Sequence, residues 1–421
     1  MNDRNGAVQD ILSSAPERIR QHRSDEVELH LVDNGGMPLP NAAAHVQLTR
    51  HAFKFGCNAF QIDRISDEAL QRAYRARFAG LLNYATLPFY WGGYERSKGV
   101  TQEKRLLGMA DWCARHGIPA KGHPLAWHEV FPQWGHDCPD GEVLERLEKR
   151  VHEIVSRFRG QVDIWDVVNE ATVSHRFDNA LGRWMAAQGA AACVAQVLCW
   201  AREANPAATL LYNEFNISPE FEALVADLLD RDAPVDVIGI QSHMHKGTWP
   251  LEKAWQVCET YARFGLPLHW TELTVLSGAL KAEDDNDWHR RHPNWHSTAQ
   301  GEDAQAEYGT ALYTLLFSHP AVEAVTWWDF SDHGSWQGAP AGLVRADMSP
   351  KPLYDRLRHL VWNDWRTDER ATSDANGRVR LRCFFGQHAV EVETQSGTRL
   401  AGTFEVGRKG ARRIEVALQP A

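Results

Sequence analysis

Apolar positions along the chain fall into two repeating patterns. Eight short apolar segments have the length and bounds of buried parallel strands: 53–58 (FKFGCN), 81–86 (LLNYAT), 119–124 (PAKGHP), 162–168 (VDIWDVV), 209–213 (TLLYN), 236–241 (DVIGIQ), 267–272 (PLHWTE) and 324–329 (AVTWWD). Between them, apolar residues recur at helical spacing. Over 142–160 the stripe is Leu144, Leu147, Val151, Ile154, Val155 and Phe158, with Gly160 as a stop. Over 101–117 Thr101 is placed to cap a helix that carries Leu106, Leu107, Ala110 and Cys113, and Gly117 ends it. Segments 220–232 and 252–264 repeat the pattern. Strand–helix alternation repeated eight times over about three hundred residues predicts an α/β fold, a (β/α)8 TIM barrel. The alternative, a doubly wound open sheet, calls for a glycine-rich phosphate loop after its first strand, and FKFGCNAF holds one glycine.

The two ends have a different period. Residues 25–50 contain an alternating strand, an Asn34-Gly35-Gly36 turn and a second alternating strand. Residues 376–417 carry three strand-like segments broken by glycine. Together they predict a small β-sandwich-like module to which both termini contribute. The expected division is 1–50 for its N-terminal strands, 51–365 for the barrel and 366–421 for its C-terminal part, with the boundary at the composition shift near Trp365-Arg366.

Composition narrows the partners. Hydrophobic content of 43% and charged content of 24% are ordinary for a globular protein. A net charge of −10 disfavours nucleic acid and anionic membrane. The short basic run 408–413 is expected to be a solvated strand face. Seven scattered cysteines without a C-x-x-C point to free thiols rather than disulfides or a zinc site. MNDRNGAVQD has no apolar leader core, and no apolar run reaches spanning length, so the expected setting is soluble and cytoplasmic unless a leader was trimmed. Tryptophan is abundant, 17 residues, and stacks on flat ligand faces as readily as it fills cores.

The candidate chemistry lies at two strand ends. In a TIM barrel the C-terminal ends of the strands build the active site. The fourth predicted strand runs into Asn169-Glu170, and the seventh into Glu272. These strand ends face each other across a closed barrel's mouth. Two opposed carboxylates suit glycosidic cleavage, where one holds a proton for the leaving oxygen and the other is ionised beside the sugar carbon. Structural ion pairing is the plain alternative for either acid.

The segments around these acids resemble glycoside hydrolase family 10, the β-1,4-xylanase family. WDVVNEA (165–171) resembles its acid/base motif, GHPLAWH (122–128) its third-strand motif, LYNEFN (211–216) its fifth-strand segment, and GIQSH (239–243) its sixth. TEL (271–273) resembles its nucleophile motif, TWWDFSDHGSW (326–336) its eighth-strand motif, and SPKPLYD (349–355) its closing segment. The resemblance implies a retaining double displacement, with Glu170 as general acid/base, Glu272 as nucleophile and their carboxyls about 5–5.5 Å apart. It implies that Asn169 hydrogen-bonds the sugar 2-hydroxyl, and that His123, Trp127 and His128 line the same subsite. Gln241 and His243 are then expected to hold the two acids, and Trp328 and Trp336 to wall the sugar cleft. A carbohydrate substrate follows, with no cofactor and no metal.

The sequence departs from the family at three places. The second-strand pattern Asn-x-x-Thr-x-Glu-Asn-x-Met-Lys-Trp keeps Asn83 and Thr86, but its Glu-Asn pair is Pro88-Phe89 and its lysine is gone. Hydrogen bonds to sugar hydroxyls are lost there and apolar surface gained. Thr274 stands where the family has an aspartate that bonds the histidine matching His243. The region after the seventh strand, 277–303, is long and rich in Trp and His, fit for a lid or wall. Its His289, His292 and His296 have no cysteine nearby and no firm helical frame, so their spacing alone makes no metal site. Xylan-like β-glycans are the leading substrate. The alternatives are a glycosidase for small aryl or decorated glycosides, or a decayed barrel that only binds carbohydrate.

Overall fold

The computed structural model describes residues 11–420, so MNDRNGAVQD, and with it the leader expectation, lies outside the described residues. The chain divides into two compact units. One extends to Lys54 and takes in Thr310–Pro320 and everything from Asp355; the other is Phe55–Gly309 with Ala321–Tyr354. Strands β1 (Ser24–Val32) and β2 (Ala43–His51) precede a closed barrel of eight. The barrel strands are β3 (Lys54–Asn58), β4 (Tyr84–Pro88), β5 (Ala120–His123), β6 (Val162–Asn169), β7 (Thr209–Glu214), β8 (Val237–Met244), β9 (Leu268–Val275) and β10 (Val322–Trp327). They close in the order β10-β3-β4-β5-β6-β7-β8-β9, with parallel ladders from β3 to β10.

Each of the eight apolar segments holds a barrel strand, because a strand covered on both sides must be apolar nearly throughout; β9 is buried at every position. The second differs from expectation. Leu81 ends the helix Glu68–Leu81, where it continues the buried stripe of Tyr74 and Phe78, and the strand starts at Tyr84. Asn83 in the connection accepts the Phe55 backbone N–H through its side chain at 2.8 Å. The striped segments form the helices Glu103–Arg115, Asp140–Arg157, Pro219–Asp230 and Leu251–Ala262. Gly117 (φ +65°) and Gly160 (φ +83°) follow the first two in left-handed conformation. Thr101 does not cap: the cap position is Gln102, without a side-chain bond, and its N–H is held by the Tyr94 carbonyl at 2.8 Å. In the barrel wall, Gly122 is required by close approach, since a Cβ there would lie 2.1 Å from the Trp165 ring on the neighbouring strand.

After the barrel come β11 (Asp368–Thr372), β12 (Arg378–Phe384), β13 (Gly386–Glu393), β14 (Arg399–Val406), β15 (Arg413–Ala417) and β16 (Gln419–Pro420). They join β1 and β2 in two sheets, ordered β12-β1-β15 and β11-β2-β13-β14-β16. Alternate residues of both sheets, among them Val27, Leu29, Val46, Val379, Val390 and Val416, share one apolar core. No single helix among the described residues is long and apolar enough to cross a membrane; only the bent pair Ala180–Gln188 and Ala190–Ala204, taken together, has the length and composition.

Candidate active site

Strand β6 ends at Asn169, and Glu170 turns out of it in left-handed conformation, φ 60° and ψ 38°. A non-glycine residue is held there only by its surroundings. Here the Glu170 N–H donates to the Asn213 carbonyl on β7 at 2.9 Å, which fixes the turn. The buried carboxylate then meets three donors. Its Oε1 accepts from Asn169 Nδ2 (3.0 Å) and Gln241 Nε2 (2.9 Å), and its Oε2 from Trp127 Nε1 (3.1 Å). Burial dominates and pushes the Glu170 carboxyl well above the usual range, with the charge of Glu272 adding to it and the Gln241 bond opposing.

Glu272 lies inside β9, three residues before its end, and is also buried. Its Oε1 accepts from Asn213 Nδ2 at 2.8 Å, and its Oε2 lies 3.1 Å from His243 Nε2. His123 Nε2 stands 3.7 Å from Oε1. Burial raises this carboxyl too, but His123, His243 and Lys121 outweigh it and hold Glu272 below its ordinary value.

The two acids share one amide network. Asn213 Nδ2 donates to both Glu272 and Asn169 Oδ1 (2.8 Å each), while Gln241 Nε2 reaches Asn169 Oδ1 (3.1 Å) as well as Glu170. Thr271 Oγ1 donates to Asn213 Oδ1 at 2.5 Å and orients that amide. Gly239 leaves room for it, since a Cβ there would meet Asn213 Oδ1 at 2.6 Å.

The other expected residues divide. His243 Nδ1 lies 2.9 Å from Thr274 Oγ1, so a hydroxyl does the orienting where the family has a carboxylate. Trp336 packs 4.8 Å from the His243 ring, and Trp328 5.8 Å from it and 5.5 Å from His123. His128 is not brought to the acids: its fully buried ring packs on Phe177 at 4.4 Å, and burial pulls its pKa down to about 4. Phe89, expected as new apolar surface at the sugar cleft, instead turns into the core, edge-on to Phe158 and Trp165 at 4.9 Å. Tyr90 is the aromatic at the mouth, 5.2 Å from His123 and 5.7 Å from Trp127.

Several residues were missed. Asn213 had a signal, a polar residue at the end of an apolar strand. Lys121 and Asp166 are wholly buried charges inside strands, paired at 2.6 Å, and Asp166 Oδ2 also holds His123 Nδ1 at 2.7 Å. Burial raises the Asp166 carboxyl, but Lys121 and His123 more than offset it and leave it depressed. Asp329, pushed up to about 7 by burial, accepts the Trp336 N–H at 3.1 Å. Among the described residues, no group of three His, Cys, Asp or Glu is arranged to hold a metal.

The sequence model of glycosyl hydrolase family 10 matches residues 58–360. Endo-1,4-beta-xylanase B of Thermotoga neapolitana is 31% identical over 266 residues, which is 60% of this chain and 72% of that protein. Anti-sigma-I factor RsgI6 of Acetivibrio thermocellus is 25% identical over 409 residues, 94% of this chain but 48% of that protein, so the chain spans about half its length. Among solved structures, native xylanase 10B from Thermotoga maritima superposes with a TM-score of 0.62 at 25% identity, covering 74% of this chain and 95% of that one. With the barrel, the paired acids and these matches in hand, the chain belongs to glycosyl hydrolase family 10 and is a retaining glycoside hydrolase.

Proposed function

We propose that Glu170 is the general acid/base and Glu272 the nucleophile of this hydrolase, acting on xylan-like β-glycans. The observation that carries the reading is two buried carboxyls in one amide network whose surroundings push them in opposite directions, Glu170 towards its protonated form and Glu272 towards its ionised form. In the first step Glu272 attacks the anomeric carbon while Glu170 gives its proton to the leaving oxygen, and the glycosidic C–O bond breaks. In the second, the Glu170 carboxylate takes a proton from water, whose oxygen displaces Glu272 from the sugar. Asn169 and Asn213 hold the pair in register and offer amide groups to the 2-hydroxyl. His123 is fixed by Asp166, and His243 by Thr274. Trp127, Trp328 and Trp336 supply apolar faces for the sugar ring. Seven free thiols support a reducing, cytoplasmic setting.

Glu170→Ala tests the assignment. Turnover of natural β-glycans should fall by about 10²–10⁴. An aryl glycoside whose leaving group needs no proton should still be cleaved, with azide restoring its rate and giving a β-glycosyl azide. A Glu170→Ala protein that binds carbohydrate as the wild type does, where the wild type itself turns nothing over, would favour the binding-only barrel.

A further inference from the structure

After β9 the chain runs through residues 276–298 before the helix Ala299–Ser318. This segment is anchored on its own side of the mouth. The Lys281 backbone N–H donates to the His245 carbonyl at 2.8 Å. The buried Lys281 ammonium holds the Asp287 carbonyl (2.9 Å) and Gln337 Oε1 (3.1 Å), and pairs with Asp285 at 3.3 Å. Trp288 lies nearly parallel on Trp336, ring centroids 5.9 Å apart and planes at 20°, with Lys281 Nζ 5.1 Å from its centre. Trp336 in turn covers His243, the partner of Glu272.

The next residue is on the other side. His289 Nε2 stands 3.4 Å from Glu129 Oε1. Glu129 follows β5, two residues after Trp127, which donates to Glu170. Strands β5 and β9 have three barrel strands between them in either direction, so they are diametrically opposed. One peptide step therefore joins an indole stacked on the Glu272 side to an imidazole–carboxyl contact on the Glu170 side. A second feature closes the rim. Trp328, Phe60, Tyr90 and Trp127 follow four successive strands, β10, β3, β4 and β5, and touch in sequence at 5.4, 5.9 and 5.7 Å. The first two contacts are edge-to-face and the third is tilted at 43°, so the four rings make a continuous aromatic run along this half of the rim.

We propose that the 276–298 segment is a strap over the barrel mouth that makes this a chain-end enzyme: it admits short β-linked oligosaccharides and small β-glycosides and excludes the interior of a polymer. An open cleft accepts a polymer laid across it. A strap resting on opposite rims has to be threaded from a free end. The proposal rests on Glu170 and Glu272 being the catalytic pair, and it names the substrate class of their site. Trp288 and His289 are its specificity-determining residues.

The test compares wild type with Trp288→Ala/His289→Ala, and with a variant in which residues 283–291 are replaced by Gly-Ser-Gly. Substrates are 4-nitrophenyl β-xylobioside, xylohexaose and a soluble linear β-1,4-xylan followed by viscosity and by new reducing ends. The wild type should cleave the two small substrates and release reducing ends from xylan with little loss of viscosity. The double variant should still cleave the aryl glycoside and should lower viscosity about tenfold more per bond cut. The shortened variant should do the same, and circular dichroism reports whether it is folded. If the aryl glycoside is cleaved but wild-type xylan thins at the first bonds cut, the strap inference alone is overturned. An unchanged ratio of viscosity to reducing ends in a folded double variant overturns it equally. If the wild type cleaves neither small substrate, the catalytic reading falls and the inference with it.

Discussion

Glu170 and Glu272 have the same side chain and nearly the same burial, yet their surroundings drive them apart. Glu170 faces amides and an indole N–H, which cannot repay the desolvation of a charge as a cation does, so its pKa is pushed up. Glu272 has two imidazoles and, further off, Lys121. Activity should therefore follow a bell-shaped pH curve. Its acid limb marks protonation of Glu272 and its alkaline limb loss of the Glu170 proton, both read from kcat/KM. Stability carries the same signs. The Glu272 pKa is depressed on folding, so its contribution is present above the unfolded value and is lost as pH falls through the folded one. The Glu170 pKa is raised, so folding binds a proton, and stability drops as pH climbs from the unfolded value towards the folded one. Glu170→Gln removes that loss. Its melting temperature should exceed the wild type's at pH 8, by roughly 2–4 °C for each kcal/mol, and match it near pH 4. A gap of the opposite sign at pH 8 would contradict the poise assigned to Glu170. Thr274→Val strips His243 of the partner on Nδ1, frees its tautomer, and should cost about 10-fold or more in kcat with little change in KM; an unchanged kcat would remove Thr274 from the machinery.

Among elements, β5 and β6 do the most to build the floor of the site. Gly122 on β5 gives way to Trp165 on β6, and the Lys121–Asp166 pair ties the same two strands inside the barrel. Lys121→Met would leave the buried Asp166 carboxylate with His123 alone to offset its burial. It should destabilise the fold by about 3–5 kcal/mol in denaturant unfolding. The double variant Lys121→Met/Asp166→Asn should recover part of that loss, and no recovery would mean that the pair does not act as a unit. These elements also mark what the sequence could and could not tell. All eight barrel strands were legible, because a strand buried on both faces has to be written in apolar residues. The second was misplaced because Leu81 and Leu82 are as apolar as a strand, though Leu81 continues the stripe of the helix before it. Lys121 and Asp166 interrupt the apolar pattern inside two strands, which is the only mark they leave in the sequence. Periodicity alone could not say that they meet each other. His128 and Phe89 went astray for a related reason: a side chain just past a strand end faces the mouth or the helix layer according to backbone turns that pattern does not encode.

At the scale of the molecule, the barrel supplies rigidity and its loops the selection. Asn169, Glu170, Asn213, Gln241, His243 and Glu272 belong to β6–β9 and the turn after β6, a polar half of the mouth, while the aromatic arc follows β10, β3, β4 and β5. That division places the proposed acid pair and its amide network on a different half of the barrel from the family's second-strand polar positions that this chain lacks. The terminal sheets share an apolar core of their own and carry no residue of the proposed site. The central claim is that Glu272 bonds to the sugar and Glu170 does not. The most direct measurement is mass spectrometry of the intact protein and its peptides after reaction with a 2-deoxy-2-fluoro aryl β-glycoside, which slows release of the intermediate. One added sugar is expected, mapped to the peptide that holds Glu272 and absent from Glu272→Ala. A sugar found on any other residue, or turnover of the wild type that never yields an adduct, would contradict it.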